Sequence, residues 1–188
     1  MTSVIAEPVI GVQQKVASGS LKVVPDKSEL PDERSFALSS IKYPSEPVLD
    51  VGTGGCACVA CRLALRNMQV VALDKDRGTI SAARKFLTKH HVSKAVRLMR
   101  DDITASSLPS NSFRNIVCFN VLHHVSALDS ALGELHRILA EDGRLIISDF
   151  DENRDRFLVR LKQAVDRHFG NVTAYRRRFK RLVLICEK

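Results

Sequence analysis

Several short apolar runs in this chain end in a residue that can do chemistry. Val48-Leu49 leads to Asp50, Val70 to Leu73 leads to Asp74, Val96 to Met99 leads to Asp101-Asp102, and Arg144 to Ser148 leads to Asp149. A further run, Asn115 to Phe119, ends in Asn120 and is followed by Val121-Leu122-His123-His124. Carboxylates accept hydrogen bonds and attract cations, and an imidazole exchanges protons near neutral pH. Directly after Asp50 stands Val51-Gly52-Thr53-Gly54-Gly55-Cys56-Ala57. Glycines at 52 and 54 allow a turn too tight for a Cβ and let backbone N–H groups approach a bound molecule. A strand, a glycine-rich turn and a helix start form a cradle for a nucleotide or a cofactor.

The elements that must position these residues follow from pattern and punctuation. Asp32 opens a predicted helix through Ile41, and Pro44 and Pro47 end it. Strands are predicted over Val48–Val51, Val70–Leu73, Val96–Met99, Asn115–Phe119 and Arg144–Ser148. Between them lie helices from Cys56 to Asn67, from Arg77 to His90 with Asp76 as N-cap, and from Ala127 to Leu139. Gly143, after Glu141-Asp142, suits a left-handed helix C-terminus. Strands separated by single helices imply right-handed βαβ units and a parallel sheet. After an amphipathic helix from Asn153 to His168, two strands, Val172–Arg176 and Arg181–Cys186, are joined too closely for anything but an antiparallel hairpin. The expected fold is α/β: a Rossmann-like, doubly wound seven-stranded sheet, mostly parallel, with one antiparallel strand from the C-terminal hairpin. Residues 1–45 read as an arm or lid and residues 46–188 as the ligand-binding domain.

At 188 residues one domain is expected, and the balance of 45% hydrophobic to 27% charged residues is that of a globular protein. No apolar run is long enough to span a bilayer, and no leader pattern stands at the N-terminus. Five cysteines, mostly inside apolar segments, fit reduced thiols and a cytoplasmic location. The net charge of +8 is uneven: residues 151–188 carry eleven Lys and Arg against five Asp and Glu. That tail offers a solvated surface or a site for an anionic partner such as RNA.

Two ligands compete for the cradle. Gly52-x-Gly54-x-x-Ala57 with Asp74 about twenty residues on satisfies a dinucleotide fingerprint. The second reading rests on a resemblance. Leu49-Asp50-Val51-Gly52-Thr53-Gly54-Gly55 resembles the first motif of the class I methyltransferases that use S-adenosylmethionine (SAM). The carboxylate before the glycines suits a ligand carrying an ammonium and a sulfonium and does not suit a pyrophosphate. Val70 to Asp74 resembles the second motif, Arg100-Asp101-Asp102-Ile103 the segment after the third strand, and Phe113 to Val125 the fourth-strand segment of the ubiquinone-biosynthesis-type, or type 11, methyltransferases. Arg137-Ile138-Leu139 ahead of Gly143-Arg144-Leu145 resembles their later signature, and the C-terminal hairpin matches their reversed last strand.

The resemblance covers residues 46–188 and implies a site. Asp50, Gly52 and Gly54 would hold the methionine end of SAM, Asp74 the ribose, Asp102 and Ile103 the adenine, and Asn120 the amino group, with Thr53 and Lys75 as further cofactor-binding residues. Asp102 is preferred to Asp101 because of strand alternation. His123 and His124, at the carboxyl edge of the sheet, are candidates for a general base, or else wall residues. Cys56 stands where the family has its third glycine, which would narrow the room beside the methionine moiety. Arg114-Asn115 and Glu141-Asp142 also depart from the family pattern.

Cys56-x-Cys58-x-x-Cys61 reads as thiols packing a helix, not as a metal site, because the spacing does not bring three thiols to one face. Arg176, Arg177, Arg178, Lys180 and Arg181 crowd the last hairpin turn and could face an anionic or RNA acceptor. Asn120-Val121-Leu122-His123 lacks the prolines of exocyclic-amine methylation sites, and Cys118 lies inside a strand, away from the place a cytosine-C5 nucleophile would take. The chain is thus expected to transfer a methyl group from SAM to an unidentified small or anionic acceptor. Two alternatives stay open: a non-catalytic SAM-fold subunit that binds a protein or RNA, and an NAD-type oxidoreductase.

Overall fold

The computed structural model describes residues 33–150, 155–177 and 181–188. Among these residues seven strands form one sheet in the order β3-β2-β1-β4-β5-β7-β6. The strands are β1 (Val48–Val51), β2 (Val70–Asp74), β3 (Val96–Arg100), β4 (Phe113–Phe119), β5 (Leu139–Phe150), β6 (Asn171–Arg177) and β7 (Arg181–Glu187). The first five are parallel, and β7 is antiparallel to both β5 and β6. β6 therefore runs with the first five. No described helix is long and apolar enough to cross a membrane.

Alternation along each strand sends side chains to two separate cores. Leu49, Val51, Ile116, Cys118, Leu145 and Ile147 pack under α4 (Leu128–Ile138) and α5 (Asp155–His168). Val48, Ala72, Val117 and Ile146 pack under α1 (Glu33–Ser39), α2 (Cys58–Ala64) and α3 (Arg77–Lys89). Burial on both faces is why these strands read as continuous apolar runs. The switch point lies between β1 and β4, where the chain's crossovers leave in opposite directions and a crevice opens at the carboxyl ends.

Local chemistry explains most element ends. Asp76 caps α3, its Oδ1 accepting the Thr79 N–H at 2.6 Å. α2 starts at Cys58, two residues later than the sequence suggests, because Ala57 sits in the left-handed region at φ 39° and keeps the preceding turn out of the helix. Its last residues are also released early, with Asn67 at φ 62° turning the chain toward β2. The helix expected from Asn153 begins at Asp155 among the described residues, and residues 1–32 lie outside them.

One expectation changes. Gly143 is not a helix C-cap. α4 ends at Ile138, Leu139 is already extended and pairs with Phe113, and the register resumes at Asn115 opposite Arg144. Gly143 lies buried in β5, outside the positive-φ region. A Cβ there would meet Leu139 Cδ1 at 2.8 Å and the Ala140 carbonyl at 2.9 Å, so space is what demands glycine. Within residues 33–45, part of the expected arm or lid, Ala37 and Leu38 are buried in the second core.

The segment after α1 is fastened by one side chain. Asn115 is fully buried; its Oδ1 accepts the N–H groups of Lys42 and Tyr43, and its Nδ2 donates to the Tyr43 carbonyl at 2.7 Å. Asn115→Ala removes all three partners and leaves backbone groups unpaired beside the sheet. Urea unfolding should show a loss of about 2 to 4 kcal/mol. A loss below about 0.5 kcal/mol would mean that water replaces the amide at no cost.

Candidate active site

The turn after β1 is built on two left-handed glycines. Gly52 at φ 70° and Gly54 at φ 66° adopt backbone that other residues take only under strain. The N–H groups of Gly52 and Thr53 both donate to the Leu73 carbonyl, at 2.8 and 3.0 Å, which ties the turn to the end of β2. At Gly52 a Cβ would stand 2.2 Å from Val121 Cγ2, so the turns after β1 and β4 touch only because residue 52 has no side chain. At Gly54 a Cβ would meet nothing within 4 Å; its missing side chain faces open space.

That space is a cleft of about 390 Å³, within the range of small-molecule sites. Gly52, Gly54, Asp74, Lys75, Asp102, Ile103, Asn120 and His124, all expected from the sequence, line it together. Ile103 is buried and supplies an apolar wall. Asn120 takes φ 52°, a strain that asparagine tolerates, and its N–H donates to the Ser148 carbonyl at 2.8 Å as the chain leaves β4.

The acids differ in what they do. Asp74 accepts the Gly54 N–H through Oδ2 at 3.2 Å and the Asp76 N–H through Oδ1 at 3.1 Å. Asp102 takes the Thr104 N–H and hydroxyl on one oxygen, Oδ1, and the Thr104 amide above all holds its carboxyl below the usual range. Asp101 is instead spent on its own loop. Burial raises its carboxyl, but bonds from Ser107 and Ser106 outweigh this and hold it below the usual range. That loop is fastened in turn by Arg137, whose Nη2 donates to the carbonyls of Ser106 and Leu108 and to Glu134.

Asp50 and Thr53 are not in the cleft wall. The alternation of β1 turns Asp50 toward α2, where it is 1% exposed. It accepts the Thr53 hydroxyl at 2.8 Å and a backbone bond from Ala60, so it holds the glycine turn from behind. His123 is likewise turned away, and its Nδ1 lies 2.7 Å from Asp149 Oδ1. Cys56 is exposed and outside the cleft wall, so it does not crowd the space beside Gly54. Burial and the neighbouring Cys56 thiol push Cys58 up to about 11. Among the described residues no cluster could hold a metal ion. Of the basic hairpin, Arg176, Arg177 and Arg181 sit on strand ends at the carboxyl edge, beyond β5, while Arg178 and Lys180 lie outside the described residues.

Sequence reasoning missed Val121, Thr104, Val125, Ser126 and Ala127 as wall residues. Apolar and small residues in a loop carry no chemical signal of their own. The clasp of Arg137 and Glu134 was equally hidden, although its Glu-x-x-Arg spacing on one helix face was visible.

The residues suit SAM. Asp74, Asp101 and Asp102 face the cleft against one cation, Lys75, which favours a positively charged ligand. The Gly54 N–H, which a pyrophosphate would need, already bonds to Asp74. Seven strands in this order, with an antiparallel β7 and this acid-lined cleft at the switch point, define a class I SAM-dependent methyltransferase. The profile described as "Methyltransferase domain" matches residues 49–147. The chain belongs to that family, and SAM is the cofactor that its acid-lined cleft suits.

Similar proteins agree. A demethylmenaquinone methyltransferase of Bacteroides fragilis is 30% identical over 131 residues, 66% of this chain and 53% of that protein. The chain thus spans about half the length of the curated relatives it matches. The YcgJ protein of Bacillus subtilis superposes with a TM-score of 0.57 at 25% identity, over 70% of this chain and 56% of its own. A SAM-dependent methyltransferase from Aquifex aeolicus shares the fold with a TM-score of 0.66 at 20% identity, over 82% of this chain and 88% of its own.

Asp50 generates a pH test. Burial pushes its carboxyl up to about 6 against the Thr53 and Ala60 hydrogen bonds, with the Asp74 charge adding to the rise. The folded state then holds this proton more tightly than the unfolded chain does. The stability it brings is whole below about pH 4 and is lost as pH rises through about 6. Asp50→Asn should therefore stabilise the ligand-free protein at pH 8 by up to roughly 3 kcal/mol and bring no gain at pH 4. Thermal unfolding at the two pH values checks this; a gain confined to pH 4 would reverse the sign.

Proposed function

We propose that the chain transfers the methyl group of SAM to a small neutral acceptor whose hydroxyl or hydroxyl-activated ring carbon is the nucleophile. The observation that carries this reading is the composition of the cleft wall. Val121, Val125 and Ala127 supply apolar surface, His124 and Ser126 supply the polar groups, and the acids nearby would repel a phosphate. The name of the Bacteroides fragilis relative, a demethylmenaquinone methyltransferase, accords with such an acceptor.

In this reading Gly52, Gly54 and Asn120 seat the methionine end, with Asp50 and Thr53 bracing the turn from behind. Asp74 and Lys75 take the ribose, and Asp102 with Ile103 the adenine. SAM bound there would supply an electrophilic methyl on its sulfonium to the acceptor's electron pair, with the C–S pair staying on sulfur. The protein's main contribution is alignment, because an in-line displacement gains most from orientation. His124 takes the proton released from the acceptor hydroxyl and, being exposed, passes it to water. A second reading, an anionic or RNA acceptor, draws on the arginines that β6 and β7 bring to the carboxyl edge.

Calorimetry with SAM and NAD side by side tests the cofactor assignment, and Asp74→Ala should weaken SAM binding at least about tenfold, the cost of hydrogen bonds to a charged acceptor. Near wild-type affinity would remove Asp74 from the ribose. Radiolabelled SAM incubated with fractionated extracts should label neutral small molecules. Label in RNA would favour the second reading, and binding without any transfer would leave a non-catalytic subunit.

A further inference from the structure

We propose that Asp149 is a positioning residue for methyl transfer: it clamps His123 so that the His123 ring holds His124 against the cleft. The inference rests on the role given to His124 above. Neither Asp149 nor His123 lines the cleft, and both are buried, with side chains 1% and 7% exposed. Each oxygen of this carboxylate meets an atom of His123. Oδ1 meets His123 Nδ1 at 2.7 Å, and Oδ2 accepts the His123 backbone N–H at 3.3 Å. A carboxylate only accepts, so Nδ1 carries the hydrogen, and the two bonds together fix both the tautomer and the ring plane.

What the fixed ring touches gives the clamp its direction. The His123 ring packs on that of His124 with centroids 3.9 Å apart and a tilt of 44°. Phe157 of α5 closes the other approach edge-on at 6.3 Å. The turn itself does not need the clamp, since the His124 and Val125 N–H groups already bond to the Val121 and Leu122 carbonyls, each at 3.0 Å. What the carboxylate adds is ring orientation and charge. When the acceptor O–H gives its proton to a His124 nitrogen, the resulting cation is stacked on a ring bonded to an anion, which offsets it. The proton then leaves to solvent.

Two variants separate this from a structural role. Asp149→Asn can satisfy Nδ1–H or the backbone N–H but not both. His123→Asn keeps an N–H where Nδ1 stood, so Asp149 stays partnered, but removes the ring beneath His124. Imidazole nitrogen NMR of the ligand-free wild type should show His123 as a single Nδ1–H tautomer, with His124 resonances displaced by the stacked ring. Asp149→Asn should mix the tautomers, and both variants should lose the His124 displacement. SAM affinity by calorimetry should stay within about twofold, because neither residue touches the cofactor seat. With 1,4-dihydroxynaphthalene as acceptor probe, kcat should fall at least about tenfold with KM for SAM unchanged, as expected for lost alignment.

A folded Asp149→Asn protein that keeps the Nδ1–H tautomer, or a His123→Asn protein that keeps the His124 displacement, would overturn the proposal. So would kcat within about twofold of wild type in either variant. If wild type bound no SAM, the functional reading would fall instead; the NMR result would still decide the clamp.

Discussion

The cleft depends on one contact that a single methyl group would abolish. Val121 Cγ2 occupies the place where a side chain at residue 52 would begin, so the turns after β1 and β4 lie against each other at the switch point. Their contact closes the floor of the crevice, and the neighbouring Gly54 leaves its open side clear. Two of the residues that line the cleft are hung from those turns: Asp74 through its bond to Gly54, and Asn120 through its strained exit from β4. Two glycines of one turn thus have opposite reasons, one to let protein approach and one to keep protein away.

Acids at the ends of β1, β2, β3 and β5 occupy equivalent places in the sheet yet do four different things. The pleat decides most of this. Asp50 is turned under α2 and braces the glycine turn, Asp74 faces the cleft, Asp102 faces it beside Asp101, which also holds the Ser106–Ser107 loop, and Asp149 is turned under α5 against His123. A cofactor with positive charge is what such a ring of carboxylates can hold, because their mutual repulsion is relieved when a cation arrives. Asp50 carries that repulsion most visibly, since its carboxyl is raised by burial and further by Asp74.

Much of this was legible in the sequence. Apolar runs ending in acids marked the strands, the glycine spacing marked the cradle, and the short link between β6 and β7 marked the reversal of β7. What escaped has physical causes. Asp50 looked like a ligand contact because residue type does not reveal which side of a strand it faces. His123 and His124 are indistinguishable in sequence, and only the three-dimensional approach of Asp149 separates a buried ring from one on the cleft wall. Gly143 resembled a helix stop because glycine serves both a left-handed turn and a crowded strand. Cys56 seemed to threaten the cofactor's room, but the early turn through Ala57 sends it to the surface.

The central claim is that the β1–β4 cleft seats SAM, and amide hydrogen exchange on the full chain tests it most directly. Addition of SAM should slow exchange at Gly52 and Gly54, at Asp102 to Thr104 and at Asn120 to Val121, and leave β6 and β7 as they were. Equal protection by NAD, or protection by SAM that avoids the glycine turn, would contradict the account.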